Sequence, residues 1–509
     1  MDLVATAAAC TASGVVDAGP DPDPAPAEAA APQTLEPAPV ERAAPPQHAR
    51  QRWITPIGDA GMELALASWA APDGTTFVAG IVHECLGGPG RDPPQCKQHG
   101  PHVPAPLWFA RIGQAGTIER ELRPQWSITT IDAMVAGPPD RLLVLGRAEA
   151  GDVLLEIDRD GVELALHPLD LPGPSVATLL ADAGQGELLV AGTLAAAVEH
   201  NGRTATIVAR DEPNVFVARL GADLRPRWWH VLQGDNRRYS SADMPSSLAA
   251  TSDGGAVVTG ECRADRLGPA APSAVGAVAC GTLDRAEVFF AKWSREGALQ
   301  WLQVATGEIT RGSDYGFGAL PGLLVALDDG AVGFSLGYTE RITLGRGRDR
   351  VSFGGEGWMD LVVGRFDADG RLAWARRTGG PAMNGASGLA FDGHSLWTLE
   401  LGAVGPRGHD TTLRGPVTHT GEGIRLPIDV RLVEYDRDGN ARERGRLDNA
   451  GDLPIVQGGA LHSTTPGLRA WLGYSGELRL DDDDVHTTLR SRGSSLPDDV
   501  AVWATPYGD

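Results

Sequence analysis

One short pattern recurs seven times along this chain, and it narrows the possible folds more than any other feature. A turn carrying Asp or Gly is followed by a β-rich run. Gly74 precedes 75–80, Asp140 precedes 141–146, Gly186 precedes 187–192 and Gly254 precedes 255–260. Gly330 then precedes 331–334, Gly393 precedes 396–399 and Gly467 precedes 468–473. Each is followed by a second apolar run, at 108–112, 153–157, 215–220, 288–293, 361–366, 430–435 and 500–504. Several of these end in an acidic turn: Asp158-Arg159-Asp160-Gly161, Asp367-Ala368-Asp369-Gly370 and Asp436-Arg437-Asp438-Gly439. A further strand follows, often bearing tryptophan, as at Trp228, Trp301 and Trp374. Asp-Gly between β runs is a hairpin signal because glycine supplies positive φ. With a short inner run such as 247–250 or 388–391 ahead of each unit, the count is four strands per unit. The prediction is an all-β, seven-bladed β-propeller of four-stranded antiparallel blades.

The last unit ends at Asp509 without a fourth strand, while 51–58 resembles a fourth strand with no unit of its own, Trp53 standing in the tryptophan position. Pairing of this segment with 500–504 is expected to close the ring and remove its open edge. Each blade exceeds the ~40–45 residues of a compact propeller repeat, and the excess is expected in loops. The domain reading is 1–14 as the remnant of a signal and lipidation region, 15–50 as a disordered tether, and 51–509 as the propeller.

Residues 288–307 (Val-Phe-Phe-Ala-Lys-Trp-Ser-Arg-Glu-Gly-Ala-Leu-Gln-Trp, ending in Gly307) and 361–380 (Leu-Val-Val-Gly-Arg-Phe-Asp-Ala-Asp-Gly-Arg-Leu-Ala-Trp, ending in Gly379-Gly380) resemble the bacterial β-propeller-repeat proteins, many of them secreted lipoproteins. The resemblance covers the whole folded part, with the tryptophan missing from blades 2 and 6. It implies a scaffold and brings no catalytic residue with it.

The first residues, through Ala7-Ala8-Ala9-Cys10-Thr11, resemble the end of a bacterial lipoprotein signal, in which the cysteine becomes the lipidated N-terminus. Ala7 stands where that family usually has Leu, and a basic leader is missing, as a start codon placed too far downstream would explain. Positions 15–48 hold nine Pro and no aromatic residue, a composition that cannot offset its ordering entropy. The expectation is an outer-membrane or cell-surface lipoprotein, lipidated at Cys10, touching the membrane only through that lipid.

Four other cysteines remain: Cys85, Cys96, Cys262 and Cys280. Cys85 and Cys262 lie five and two residues past Gly80 and Gly260; Cys96 and Cys280 lie thirteen and ten before Phe109 and Phe290. Both offsets change by three, so the partners stay opposite each other in an antiparallel hairpin. Disulfides Cys85–Cys96 and Cys262–Cys280 follow, and with them an oxidising compartment. A zinc site using His83, His99 and His102 would account for the first pair only.

Against 44 basic residues stand 66 acidic ones, a net charge of −22 that repels phosphate backbones and excludes general nucleic-acid binding. All the basic residues but Lys97 and Lys292 are arginine, so lysine chemistry has two candidates. The acidic turns resemble a calcium loop, but the position six past the glycine, which needs Glu, holds His167, Arg376 and Gly445. They are read as hairpin turns, and 481–484 as a solvated acidic loop. No nucleophile elbow or phosphate-binding loop occurs, so no catalytic residue, metal or cofactor is assigned.

Propellers bind ligands at a funnel of loops joining one blade to the next. The richest here offer Asp235, Arg237, Arg238 and Tyr239 from one blade and Arg311, Asp314 and Tyr315 from another, with Asp132 and Asp243 near the inner strands. Arginine forks and aromatic rings suit a glycan or a protein partner. The reading is a monomeric, non-catalytic binding or scaffolding propeller. The alternative is a carbohydrate-active or other enzyme using the same funnel.

Overall fold

The computed structural model describes residues 53–57, 62–83, 85–86, 95–96, 106–171, 173–201, 204–234, 244–280, 287–308, 319–320, 322–355, 359–378, 384–403, 428–449, 456–465, 467–474, 477–482, 485–490 and 499–505. They form a seven-bladed β-propeller of antiparallel sheets. Blade 4 is representative: Met244–Ala250, Ala256–Cys262, Glu287–Trp293 and Leu299–Glu308 pair in that order from the axis outward. Among the described residues the sole helical element is the 3-10 turn Gly347–Asp349.

Ring closure is as expected. Trp53–Ile57 pairs with Asp499–Thr505, with Trp53 opposite Ala504 and Ile54 opposite Trp503. Trp301 pairs with Lys292 and Trp374 with Arg365 at the same place in their blades, so Trp53 occupies the tryptophan register. All seven turn residues carry positive φ: Gly74, Gly186, Gly254, Gly330, Gly393 and Gly467, and also Asp140 at 62°.

Third strands are buried on both faces. Every residue of Glu287–Trp293 is buried. Phe289 packs toward blade 3 beside Val215 and Val217, while its neighbour Phe290 packs toward blade 5. There Phe290 meets Phe334 at 5.2 Å and Phe366 at 5.1 Å, and those two stack at 4.7 Å. A strand clasped between two neighbours has no solvent face, which is why these runs read as continuously apolar. The core is thus a set of inter-blade seams.

The extra chain length was expected in loops, yet much of it forms strands. Three blades send a hairpin from their second-to-third-strand connection onto the outer edge of the preceding blade. Arg266–Pro269 of blade 4 pairs with Pro226–Gly234 of blade 3, Arg341–Leu344 of blade 5 with blade 4, and Glu477–Asp482 of blade 7 with Ala441–Asn449 of blade 6. Blades 3, 4 and 6 therefore have six strands, and their open edges are capped. Half of the acidic run is corrected by the same finding: Asp481 and Asp482 end one strand of such a hairpin, with Asp481 opposite His486, while Asp483 and Asp484 lie outside the described residues.

Cys262 and Cys280 are disulfide-bonded, both buried, with Cα atoms 6.0 Å apart at the base of the blade 4 hairpin. In blade 1 the backbone sets Cys85 opposite Cys96; their side chains lie outside the described residues, as do residues 1–52 with Cys10.

Candidate functional site

Antiparallel meandering places the first-to-second and third-to-fourth strand turns on one face, here called the turn face. Blade-to-blade connections lie on the opposite, funnel face. Asp235, Arg237, Arg238, Tyr239, Arg311, Asp314 and Tyr315, together with Asp243, lie outside the described residues. What is described is the platform beneath them. Asn214, buried within the third strand of blade 3, Thr204–Leu220, donates from Nδ2 to Ala196 O at 2.8 Å and accepts from Gly234 N at 3.2 Å. Gly234, the last described residue of the fourth strand of that blade, is thus pinned by a buried amide. Glu287 and Asp360 hold the same place in blades 4 and 5 and are equally buried. Asp132 lies on the inner strand of blade 2 at a β-bulge, where burial raises its pKa against the hydrogen bond from Thr130.

Two polar groups, one buried and one half-buried, went unrecognised in the sequence. Glu400 stands where blades 1 to 4 have Gly80, Gly146, Gly192 and Gly260, three residues past the strand position facing the seam cation. Its carboxylate, 1% exposed, accepts from Tyr435 at 2.7 Å, Thr398 at 3.0 Å, Thr378 of blade 5 at 2.8 Å and Arg431 at 3.1 Å. Burial, then the Glu400 charge, pushes the Tyr435 hydroxyl far above its ordinary range. With four donors on two oxygens this acid is fully satisfied, so it stiffens the seam and does not offer a base. The departure from glycine was its only sequence signal.

The second group lies where blade 7 meets blade 1. Trp471 Nε1 donates to Ser68 Oγ at 2.6 Å, which leaves the serine hydroxyl to donate to His462 Nε2 at 2.7 Å. Burial pulls His462 down to about 4, so its ring is neutral and can accept. Ser68 and His462 are 394 residues apart, and no spacing rule connects them.

Turn-face side chains are largely spent between blades. In the acidic turns the first residue works as a turn cap: Asp367 Oδ1 accepts from Asp369 N at 3.0 Å and Arg371 N at 2.7 Å, and Asp158, Asp436 and Ser294 do the same. The hairpin-turn reading therefore holds, with these oxygens bound to backbone N–H groups. Among the described residues no three His, Cys, Asp or Glu are grouped to hold a metal ion. Three fourth-strand indoles reach the next blade's turn: Trp228 Nε1 donates to Arg295 O at 2.8 Å, Trp301 to Ala368 O at 3.0 Å and Trp374 to Arg437 O at 2.9 Å. Trp126 of blade 1, just beyond its fourth strand, reaches Gly161 O at 2.9 Å.

A second layer uses cations. Arg219 donates to Gly254 O, Lys292 Nζ to Gly330 O at 2.9 Å, and Arg469 Nε to Gly74 O at 3.3 Å. These link blades 3 to 4, 4 to 5 and 7 to 1. Lys292, one of the two lysines, is 1% exposed and also pairs with Asp253 at 3.0 Å. It is a structural cation.

No family model matches the chain, and no curated protein matches it. Among solved structures it is similar in fold to the β-propeller domain of Cps50 (Swd1) from Myceliophteria thermophila (10% identity over 89% of this chain and 99% of that one, TM-score 0.37). It is also similar to a protein from Lactobacillus plantarum (13%, 79% and 96%, TM-score 0.39) and to the polysaccharide lyase Uly1 (9%, 87% and 90%, TM-score 0.42). Identities this low speak to fold alone.

Proposed function

We propose that this chain is a non-catalytic binding or scaffolding propeller, displayed outside the cell on a lipid attached to Cys10 and a Pro/Ala-rich tether. One observation carries the reading: Arg219, Lys292, Arg469, Trp301 and Trp374 on the turn face are tied to the carbonyls of neighbouring blades. A ring stiffened blade to blade, with a strand end pinned as at Gly234, suits presentation of a preorganised surface. The ligand chemistry offered by Arg237, Arg238, Tyr239, Arg311 and Tyr315 is that of a glycan or a protein partner. Glycan-array and pull-down screening with the full chain tests it. Capture of a ligand without turnover supports the reading, and turnover of any captured ligand overturns it. Mass spectrometry of native material should find acylated Cys10; an unmodified Met1 ends the surface-anchor part.

A second reading, an enzyme, is favoured by the Ser68–His462 contact of 2.7 Å, since a serine hydroxyl donating to a neutral imidazole is the starting state of nucleophilic attack. Covalent labelling of Ser68 by a fluorophosphonate, abolished in Ser68→Ala, would establish it. An imidazole held near 4 is a weak base, which places this reading second.

A further inference from the structure

On the turn face, between blades 5 and 6, the described residues form an open cleft. It arises from a local departure from the repeat. In blades 1 to 5 the first-to-second strand turn closes over five residues, as in Leu327 N to Ala331 O and Thr251 N to Gly255 O. In blade 6 it closes over four, Asp392 N to Ser395 O. The glycine carbonyl that receives the seam cation elsewhere has no counterpart there, and Arg365 pairs with Asp329 of its own blade. The arginines of the acidic turns differ in the same way. Arg159 pairs with Asp73 of the preceding blade at 3.4 Å, and Arg295 with Glu187 of its preceding blade at 3.4 Å. Their counterpart Arg437 lines the cleft together with Asp328 and His394. Among the described residues none of these three side chains makes a hydrogen bond or ion pair.

We propose that this cleft binds a neutral, hydroxyl-rich ligand such as a single sugar ring. Two arginines and three aspartates line it, and Arg365 and Asp329 cancel each other. Asp436 spends one oxygen on turn N–H groups and the other on Asn440. What remains is one guanidinium fork and one carboxylate, a donor and an acceptor for neighbouring hydroxyls, over the apolar side chains of Phe391 and Leu396. On a chain of net charge −22 an anionic sugar is repelled, and a cation, though attracted by that charge, meets the Arg437 guanidinium in the cleft. The site lies on the face opposite the funnel, so it is independent of the function proposed above.

Saturation-transfer NMR on the full chain, with the methyl glycosides of glucose, galactose and mannose as probes and glucuronate and glucosamine as charged counterparts, tests this. At least one neutral glycoside should bind more tightly than both charged sugars. Arg437→Ala and Asp328→Ala should each weaken it tenfold or more, and His394→Gln severalfold. Arg159→Ala, the same turn position in blade 2, should leave binding unchanged. Both cleft positions are exposed and unbonded, so unaltered melting curves should accompany the loss. Failure of all three glycosides to bind, equal or tighter binding of a charged sugar, or undiminished affinity in both cleft variants overturns the proposal. None of these outcomes bears on a ligand captured by the funnel loops, which the same variants leave intact.

Discussion

The seam between blades 4 and 5 and the seam between blades 5 and 6 are built from the same repeat but close differently. Both keep the lower layer, in which an indole donates to the next blade's turn, Trp301 to Ala368 O and Trp374 to Arg437 O. Only the first keeps the upper layer, Lys292 to Gly330 O. At the second, blade 6 has lost one turn residue, and the cation turns back to Asp329. The comparison teaches that the upper layer depends on turn length, because its acceptor is a backbone carbonyl whose position the turn decides. The lower layer depends on a glycine that lets the ring lie against the turn. The two can be lost separately.

The largest effects should come from the lower layer and should be equal at the two seams. A Cβ on Gly370 would lie 2.6 Å from the Trp301 ring, and one on Gly439 would lie 2.7 Å from Trp374; both glycines have φ of 79°. Gly370→Ala and Gly439→Ala should therefore each lose about 3 kcal/mol, part from positive φ and part from displacing the indole. Denaturant melts of the two variants provide the measurement. A loss at Gly439 under half that at Gly370 would mean that blade 6 differs in both layers, and the separation drawn above would fail.

The upper layer should separate the seams. Lys292→Met leaves Gly330 O buried without its donor, and a loss of about 2–3 kcal/mol is expected. Arg365→Met removes a side chain 19% exposed whose partner Asp329 is 56% exposed and can return to water, so under about 1 kcal/mol should be lost. Equal losses would break the comparison.

The extent to which these features were legible in the sequence follows from how local their causes are. Turn glycines, third strands, the Cys262–Cys280 pair and the closing strand at Trp53 could be read because each is signalled by a residue type at a short, repeated offset. The capping hairpins could not, since addition of Arg266–Pro269 to blade 3 is a backbone pairing with no side-chain signature. Lys292 looked like a strand residue for a similar reason: its partner is a carbonyl 38 positions away, and a carbonyl has no identity in a sequence. Glu400 was visible as a departure from glycine, but its donors come from Thr378, Thr398, Arg431 and Tyr435 in two blades. The funnel residues lie outside the described residues, so their assignment still rests on the sequence.

The closing seam between blades 7 and 1 offers a third case. It follows the upper-layer rule, Arg469 to Gly74 O, and adds the Ser68–His462 contact. With His462 lowered from 6.5 to about 4 by burial, the folded state favours the neutral ring. Between these values the unfolded chain binds more protons, so this contribution is complete above 6.5 and is lost as pH falls toward 4. At pH 5 the loss is at most about 2 kcal/mol. Stability measured from pH 7 to 5 should fall more steeply for the native chain than for His462→Gln. Parallel profiles would show that the ring is charged or released before unfolding.

The smallest expected effect concerns the one non-glycine among the seven turn residues. Asp140 adopts φ of 62°, a conformation that aspartate tolerates at some cost and glycine accepts freely. Its side chain is 87% exposed and stands 3.9 Å from Arg159, which also reaches Asp73 at 3.4 Å, so little pairing is lost on removing it. Backbone relief slightly exceeds the greater unfolded-state entropy of glycine, and Asp140→Gly should gain about 0.5 kcal/mol. The change brings blade 2 onto the pattern of its neighbours without altering turn length, so it should improve one turn and leave both seam layers as they are. A loss of stability in that variant would mean that Asp140 contributes to the seam through Arg159. Blade 2 would then join blades 6 and 7 as a further place where the repeat has been modified.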